Sequence, residues 1–150
     1  MLMPAAIQTL CDAYDESGCD FVTASYENMS EDGGTVTPLD GPRRHGAPWG
    51  RLYSREVWRD LEFSEGFWFE DTVQGFCIEP RWRERHLDMP VYLYRNNSGG
   101  ITATLGGSKK GLDTLWIVEE LLKWDDQLGI PFDQRMYDRV IWQFGVMLWG

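Results

Sequence analysis

The sequence predicts a single domain over residues 1–150, of the α/β class and of α+β type in this chain. Three observations predict it: a helical pattern near the start runs into a buried strand, a second strand lies at 91–95, and two helical patterns fill the chain from about 109. The expected architecture is therefore a small sheet with flanking helices and two closing helices. A chain of this length buries enough surface for one core and rarely for two.

The first helix is predicted from Ile7, Leu10, Cys11 and Tyr14. Their spacing of three, one and three residues places them on one side of a helix, which is expected to face the core. Gly18 is expected to end this helix, because glycine readily takes the left-handed conformation of a C-cap.

Residues 19–27 predict a buried strand, since they are almost continuously apolar or small. Residues 28–48 are rich in Gly, Pro and Asp and predict a long loop or a hairpin with an Asp-Gly turn. Residues 49–53 are expected to be extended, and Ser54 is the predicted N-cap of a short helix through Leu61.

Glu70 and Asp71 open the next predicted helix, directly after the aromatic segment 63–69. Pro80 is expected to end it, because proline lacks the amide that continues a helix. The side chains predicted to point inward are Val73, Phe76 and Cys77.

Two helices are predicted after the strand at 91–95. One spans about 109–128 and ends at Gly129, and the other spans about 133–149 with Asp133 as its N-cap. The apolar stripe predicted for the last helix consists of Tyr137, Val140, Ile141, Phe144 and Leu148.

Composition excludes several classes of function. The chain carries 24 acidic and 14 basic residues, a formal charge of −10, and no basic stripe, so nucleic-acid binding and polybasic membrane contact are not expected. No apolar run approaches the roughly 18 residues of a transmembrane helix. Three cysteines at unrelated spacings make a disulfide framework improbable, so a cytoplasmic location is expected.

Glu70 and Asp71 are the candidate catalytic residues. Burial raises the pKa of a carboxyl group while a helix N-terminus lowers it, so a carboxylate that balances both effects in a cleft can serve as a general base. The alternative is that Asp71 caps the helix and Glu70 is solvated. The aromatic neighbours that could desolvate the pair are Phe67, Trp68, Phe69 and Phe76.

Other residues point less clearly to chemistry. His45 and His86 are isolated from each other and from any cysteine, and both are predicted to lie at the surface or in loops. Trp49, Trp58 and Trp68 could stack on a sugar, although large aromatic side chains more often form core or interface.

Residues 48–72 resemble the acceptor-side segment of family 2 glycosyltransferases. That family shows a Trp-Asn-Lys-Leu-Tyr run, a short helix, a Phe-x-Glu-Gly turn and a Glu-Asp pair, followed by a strand that ends Tyr-x-Tyr-Arg and a Ser-Ile-Thr-like stretch. The corresponding pieces here are Trp49 to Tyr53, Phe63 to Gly66, Glu70 with Asp71, Tyr92 to Arg95, and Ser98 with Ile101 and Thr102. Residues 3–27 are similar to the helix and strand after the family's metal-binding Asp-x-Asp motif, so the resemblance covers residues 3 to about 104.

The resemblance implies a partial GT-A-like sheet and inverting transfer of a sugar from a nucleotide-diphosphate donor to an acceptor hydroxyl, in polysaccharide or glycoconjugate synthesis. It makes Asp71 the base and Glu70 its neighbour, which orients the acceptor or a loop. The residues expected to bind the acceptor are Trp49, Arg51, Tyr53 and Trp68.

The departures from the family pattern restrict what this chain is expected to do. Gly50 and Arg51 stand where the family often has Asn and Lys, and no Asp-x-Asp occurs in the chain. The resemblance therefore implies an acceptor-side portion without a cofactor of its own, which is inactive alone and binds a nucleotide sugar only together with the missing half. The parent protein is expected to use Mn²⁺ or Mg²⁺, and to be cytoplasmic or peripheral at the inner face of the membrane.

Two further expectations follow. A sheet edge or aromatic surface left uncovered by the missing half predicts self-association, most simply a homodimer. The alternative function is a non-catalytic acidic module that binds a protein partner through its aromatic surface, with Glu70 and Asp71 in a structural role. A metal-dependent hydrolase ranks last, since no spacing of acids fits a ligand set.

Overall fold

The computed structural model describes residues 1–38, 47–100 and 109–149. The described residues form helices and a four-stranded mixed sheet, which confirms the predicted α+β class. His45 and the Ile101–Thr102 pair of the family resemblance lie outside the described residues. In the part of the chain that the structure describes, no helix combines the length and apolar character needed to cross a membrane.

The chain divides into two compact units. Unit 1 consists of Met1–Leu61 and Trp82–Ser98, and unit 2 of Glu62–Arg81 and Gly99–Gly150. Each unit is thus built from two separate stretches of sequence. The single-domain prediction concerns the chain as a whole and stays a prediction.

Each of the other strands described in unit 1 pairs with the central strand β1, Phe21–Met29. The short strands β2, Val36–Thr37, and β3, Arg51–Tyr53, run antiparallel to it, β2 at its end and β3 at its beginning. The long strand β4, Glu84–Arg95, runs parallel to β1 along its whole length. The predicted strands at 19–27 and 91–95 are therefore confirmed, and β4 begins seven residues earlier than predicted.

Helix α1, Ala6–Ser17, covers one face of this sheet and ends at Gly18, whose φ of 58° confirms the predicted C-cap. The orientation of the helix differs from the prediction, since Ile7 is 65% exposed. Two alanines, Ala6 and Ala13, are buried on this face instead. The core on this face consists of Ala6, Leu10, Ala13, Cys19, Val22, Ala24 and Val91.

The predicted Asp-Gly turn joins β1 to β2. The amide of Ser30 donates to the carbonyl of Thr35 at 2.8 Å, and Gly33 takes a φ of 79°. The Asp32 carboxylate accepts hydrogen bonds from the Ser30 hydroxyl and the Gly34 amide, which hold the pKa of Asp32 below its usual value. The hairpin prediction is confirmed for its described part.

Unit 2 contains an irregular helical run in place of the single helix predicted after Glu70. A 3₁₀ turn at Glu70–Thr72 leads into a π-helix at Gln74–Ile78 and then into the short helix α2, Glu79–Arg81. Pro80 thus lies in the last turn of the run, one residue before its end. The predicted inward side chains are buried, as are their neighbours: the buried set is Val73, Gln74, Gly75, Phe76, Cys77 and Ile78.

Helices α3, Asp113–Gln127, and α4, Gln134–Trp149, close unit 2. Gly129 has a φ of 69°, and Asp133 accepts the Met136 amide at 3.0 Å, so the predicted terminator and N-cap are both confirmed. The apolar stripe predicted for α4 is wrong in part, because Tyr137 is half-exposed. Among the side chains of this helix that the structure describes, the exposed large apolar ones are Tyr137, Ile141 and Trp142, and the side chain of Leu148 lies outside the described part.

The π-helix packs against α4 through a glycine. A Cβ placed on Gly75 would lie 1.4 Å from Nη1 of Arg139, and the same guanidinium donates to the Glu79 carboxylate at 3.1 Å. Gly75 thus leaves the space that the half-buried Arg139–Glu79 ion pair occupies.

We expect Gly75→Ala to lower the free energy of unfolding by about 1–2 kcal/mol, because the methyl group displaces Arg139 from a charge-assisted hydrogen bond. Chemical denaturation measures the change. Gly111→Ala is the matched control, since a Cβ at Gly111 meets no atom within 4 Å. Equal stability of the two variants would contradict the packing role of Gly75.

Candidate functional site

The six predicted site residues divide between the two units. Unit 2 contains Trp68, Glu70 and Asp71. Unit 1 contains Trp49, Arg51 and Tyr53.

The Glu70–Asp71 pair lies in a 3₁₀ turn, and the residue before this turn has a strained backbone conformation. Phe69, the residue before the turn, has a φ of 69° and a ψ of 25°, a left-handed conformation that costs a non-glycine residue about 1–2 kcal/mol. Thr72 closes the turn, since both its amide, at 2.9 Å, and its hydroxyl donate to the Phe69 carbonyl. Strain of this kind is concentrated at functional sites in proteins.

The two carboxylates of the pair differ in exposure. Glu70 is exposed, as the structural alternative requires, and Asp71 is half-buried. The alternative placed Asp71 at the helix cap, whereas the N-cap position of the turn belongs to Phe69 and Asp71 lies inside the turn. A partly buried carboxylate can accept a proton from a bound hydroxyl.

The aromatic segment before the turn is bonded to α3. The Trp68 amide donates to Oδ2 of Asp113 at 3.0 Å, and the Ser64 hydroxyl donates to Oε2 of Glu120 at 3.0 Å. The rings of Trp68 and Phe69 meet edge to face, with centroids 6.4 Å apart. Sequence reasoning missed Asp113 and Glu120, because on a helix of mixed charge nothing distinguishes an acid that binds a distant loop.

In unit 1, Trp49 belongs to an aromatic platform that also contains Tyr26, Tyr92 and Tyr94. The indole stacks on the rings of Tyr92 and Tyr94, with centroid distances of 4.5 and 5.3 Å and interplanar angles of 19° and 27°. Tyr26 meets the indole edge-on at 4.9 Å. Tyr92 and Tyr94 lie on the same side of β4, since residues two apart in a strand share a face. The platform therefore holds Trp49 in one orientation.

Tyr53 belongs to a different aromatic group. It stacks on the fully buried Phe21, with centroids 5.9 Å apart, and meets Trp58 edge to face at 5.3 Å. These two ring contacts connect Tyr53 to the core residue Phe21 and to Trp58, both in unit 1.

Arg51 lies in a polar row that crosses three strands. Thr23 of β1 is in register with Arg51 of β3 and with His86 of β4. The Thr23 hydroxyl donates to the Glu84 carboxylate and lies within hydrogen-bond distance of Nδ1 of His86, at 2.7 Å. Asp88 Oδ1 lies 3.8 Å from the other ring nitrogen.

The surface position predicted for His86 is therefore wrong, because only 8% of its side chain is exposed. The strand prediction began at Val91 and left His86 outside the sheet. Alternation of Glu84, His86 and Asp88 was the signal that could have placed it in a strand.

Unit 2 buries one carboxyl group beside a thiol. Asp125 on α3 is only 3% exposed, and among the described residues no donor meets hydrogen-bond geometry with either of its carboxylate oxygens. Burial raises the pKa of Asp125 to about 6, against smaller opposing effects of the Cys77 thiol and the Arg135 charge. Burial and the Asp125 charge also raise the pKa of Cys77, so this thiol stays protonated and is a poor nucleophile.

No group of three or more His, Cys, Asp and Glu side chains lies together as a metal site within residues 1–38, 47–100 and 109–149. Comparison of the chain with protein families, curated proteins and solved structures found no match. The resemblance to glycosyltransferases thus depends on the sequence motifs.

Asp125 predicts a pH dependence of stability. Its pKa is raised from an ordinary value near 4 to about 6 in the folded state, so the unfolded chain releases this proton first and stability falls as pH rises from about 4 to 6. We expect Asp125→Asn to remove this fall and to stabilise the protein at pH 8 by about 1–3 kcal/mol.

Denaturation curves at pH 4, 6 and 8 measure the effect. Asp126→Asn, on the same helix but exposed, is the control and should leave the fall in place. A lower stability of Asp125→Asn than of the wild type at pH 8 would show that the buried carboxylate is stabilised by its surroundings.

Proposed function

We propose that this chain is the acceptor-side portion of an inverting glycosyltransferase that transfers a sugar from a nucleotide-diphosphate donor to an acceptor hydroxyl. The single observation that carries the proposal is the Glu70–Asp71 turn, in which a half-buried carboxylate follows a left-handed Phe69 and an aromatic segment. The order of motifs around this turn supports the same reading.

In the proposed reaction Asp71 is the general base. Its carboxylate takes the proton of the acceptor hydroxyl while that oxygen forms a bond to the anomeric carbon, and the bond from this carbon to the diphosphate breaks on the opposite face. Inversion follows from this in-line displacement. Glu70 is exposed beside the base and is proposed to orient the acceptor.

The departing diphosphate carries negative charge, which a divalent metal neutralises in transferases of this kind. The described residues offer no ligand set for such a metal. The proposal therefore assigns donor and metal binding to residues other than those described, and only acceptor binding and proton removal to this chain.

The aromatic platform supports saccharide binding by unit 1. Stacking on Tyr92 and Tyr94 fixes Trp49, and a fixed indole suits the apolar face of a pyranose ring.

The glycine at position 50, where the family often has Asn, has a physical explanation. Gly50 has a φ of 68°, and Asn is one of the few other residues that takes this conformation readily. The Asn found in the family would thus satisfy the same backbone requirement.

A second candidate function is a non-catalytic acidic interaction module. Exposed apolar side chains on unit 2 favour it, since patches of this kind mark protein interfaces. Of the described side chains on or beside α3 and α4, the large apolar ones at least half exposed are Leu112, Leu115, Trp116, Phe132, Tyr137, Ile141 and Trp142.

Saccharide titration of the labelled chain distinguishes the two functions. We expect a member of a panel of methyl hexosides and N-acetylhexosaminides to shift the resonances of Asp71 saturably, and Trp68→Ala, a change in the same unit, to weaken this binding about tenfold, as the loss of a stacking residue does. Trp116→Ala is the control, since this tryptophan is 62% exposed on α3. No saturable shift with any saccharide would favour the interaction module.

Calorimetry with UDP-, GDP- and dTDP-sugars in the presence of Mn²⁺ or Mg²⁺ tests whether this chain binds the donor. We expect no donor binding to this chain alone, in the wild type or in Asp71→Asn. Saturable, metal-dependent binding would place a donor site within these 150 residues and overturn the acceptor-side assignment.

The proposal includes self-association through the exposed aromatic surface of unit 2. We expect sedimentation velocity to detect a dimer at micromolar concentration, and Trp116→Ser with Trp142→Ser to shift it to monomer, because both indoles are more than 60% exposed. Ile7→Ser is the control, since Ile7 is as exposed but lies on α1. A monomeric wild type would contradict this part of the proposal.

A further inference from the structure

The segment from Ser64 to Trp68 is hydrogen-bonded near both ends to one helix. Glu120 on α3 accepts the Ser64 hydroxyl and Asp113 accepts the Trp68 amide, each at 3.0 Å. Asp113 and Glu120 are seven residues apart, about two helical turns, so both side chains leave α3 on the same side. We call these two bonds the carboxylate clamp.

The clamp is directly connected to the turn that carries the candidate base. Only the left-handed Phe69 separates Trp68 from Glu70, and the Phe69 carbonyl accepts both hydrogen bonds from Thr72 that close the turn. Because φ and ψ of Phe69 are strained, its conformation persists only where neighbouring contacts hold it. The hydrogen bond from the Trp68 amide to Asp113 is such a contact before Phe69 in the chain. The two hydrogen bonds from Thr72 to the Phe69 carbonyl are such contacts after it.

Both acceptors of the clamp are carboxylates. Hydrogen bonds to charged acceptors are stronger than those between neutral groups, and the loss of one is worth about tenfold or more in an equilibrium constant. Asp113 also lies in the first turn of α3, where a negative charge interacts favourably with the helix dipole. Asn and Ala at this position both remove that charge, but only Asn keeps an oxygen that can accept the Trp68 amide.

We propose that Asp113 and Glu120 are positioning residues, which hold the aromatic segment on α3 and thereby fix the Glu70–Asp71 turn for its acceptor. The inference rests on the proposed function only in assigning acceptor binding to the turn. Neither residue is assigned contact with a substrate, and their role is exerted through the backbone of Trp68 and Phe69.

Amide hydrogen exchange of the full chain, followed by NMR, tests whether the clamp fixes the turn. We expect Asp113→Ala to raise the exchange rate of the Trp68 amide about tenfold and that of the Thr72 amide at least about threefold. Asp113→Asn should restore both rates to within about twofold of the wild type. Glu119→Ala is the control, because Glu119 is an exposed acid of the same helix that pairs with Lys123 at 2.7 Å.

Two results of the exchange experiment would overturn the proposal. An unchanged Thr72 rate in Asp113→Ala would show that the clamp does not reach the turn. Equal rates in Asp113→Asn and Asp113→Ala would show that the effect comes from the lost charge and not from the hydrogen bond. The double variant Asp113→Ala with Glu120→Ala should raise the exchange rates of the Trp68 and Thr72 amides more than either single variant does. Rates in the double variant equal to those in Asp113→Ala would show that Glu120 is not part of the clamp.

Saccharide titration tests the functional part separately. We expect Asp113→Ala to weaken binding at Asp71 about tenfold and Asp113→Asn to rescue it, with Glu119→Ala unchanged. Normal binding by Asp113→Ala, despite faster exchange at Thr72, would overturn the positioning role. If the wild type binds no saccharide, the proposed function fails by itself, and the exchange rates still decide whether the clamp fixes the turn.

Discussion

The parallel pairing of β1 with β4 is the constraint on which the rest of the chain depends. Parallel neighbours cannot be joined by a tight turn, because the chain must return to the end of the sheet at which β1 began. The connection from Met29 to Glu84 is therefore long, and it contains β2, β3 and the Glu62–Arg81 stretch of unit 2. All six candidate site residues belong to this connection, three in each unit, so the pairing that organises the sheet also requires the long stretch of chain that carries them.

Much of the fold could be predicted because its elements carry strong local signals. The glycines at 18 and 129 and the aspartate at 133 mark helix ends through backbone conformation and capping, and these signals depend on few neighbours. The side that a helix buries was harder to predict. For α1, the predicted apolar stripe included Ile7, yet Ile7 is exposed and the alanines at 6 and 13 are buried beside Leu10, because the buried side depends on which residues the sheet contacts and not on the helix alone.

The sequence allowed candidate site residues to be named, but not the backbone conformation or the hydrogen bonds around them. A helical pattern after Glu70 does not distinguish an α-helix from a 3₁₀ turn followed by a π-helix, since their periods differ by less than the scatter of a short apolar pattern. The left-handed conformation of Phe69 has no sequence signal, because it is imposed on a residue that disfavours it. Asp113, Glu120 and His86 were missed for a related reason: each bonds to a residue more than forty positions away.

The three cysteines are all free, and their surroundings make them chemically unequal. Alkylating reagents attack the thiolate, and the buried Cys77, whose pKa is raised by burial and by the neighbouring Asp125, supplies almost none. Cys19 is buried in the core under α1, whereas Cys11 on the same helix is partly exposed. The wild-type chain therefore has a natural attachment point for a fluorophore or spin label on unit 1, without the removal of any other thiol.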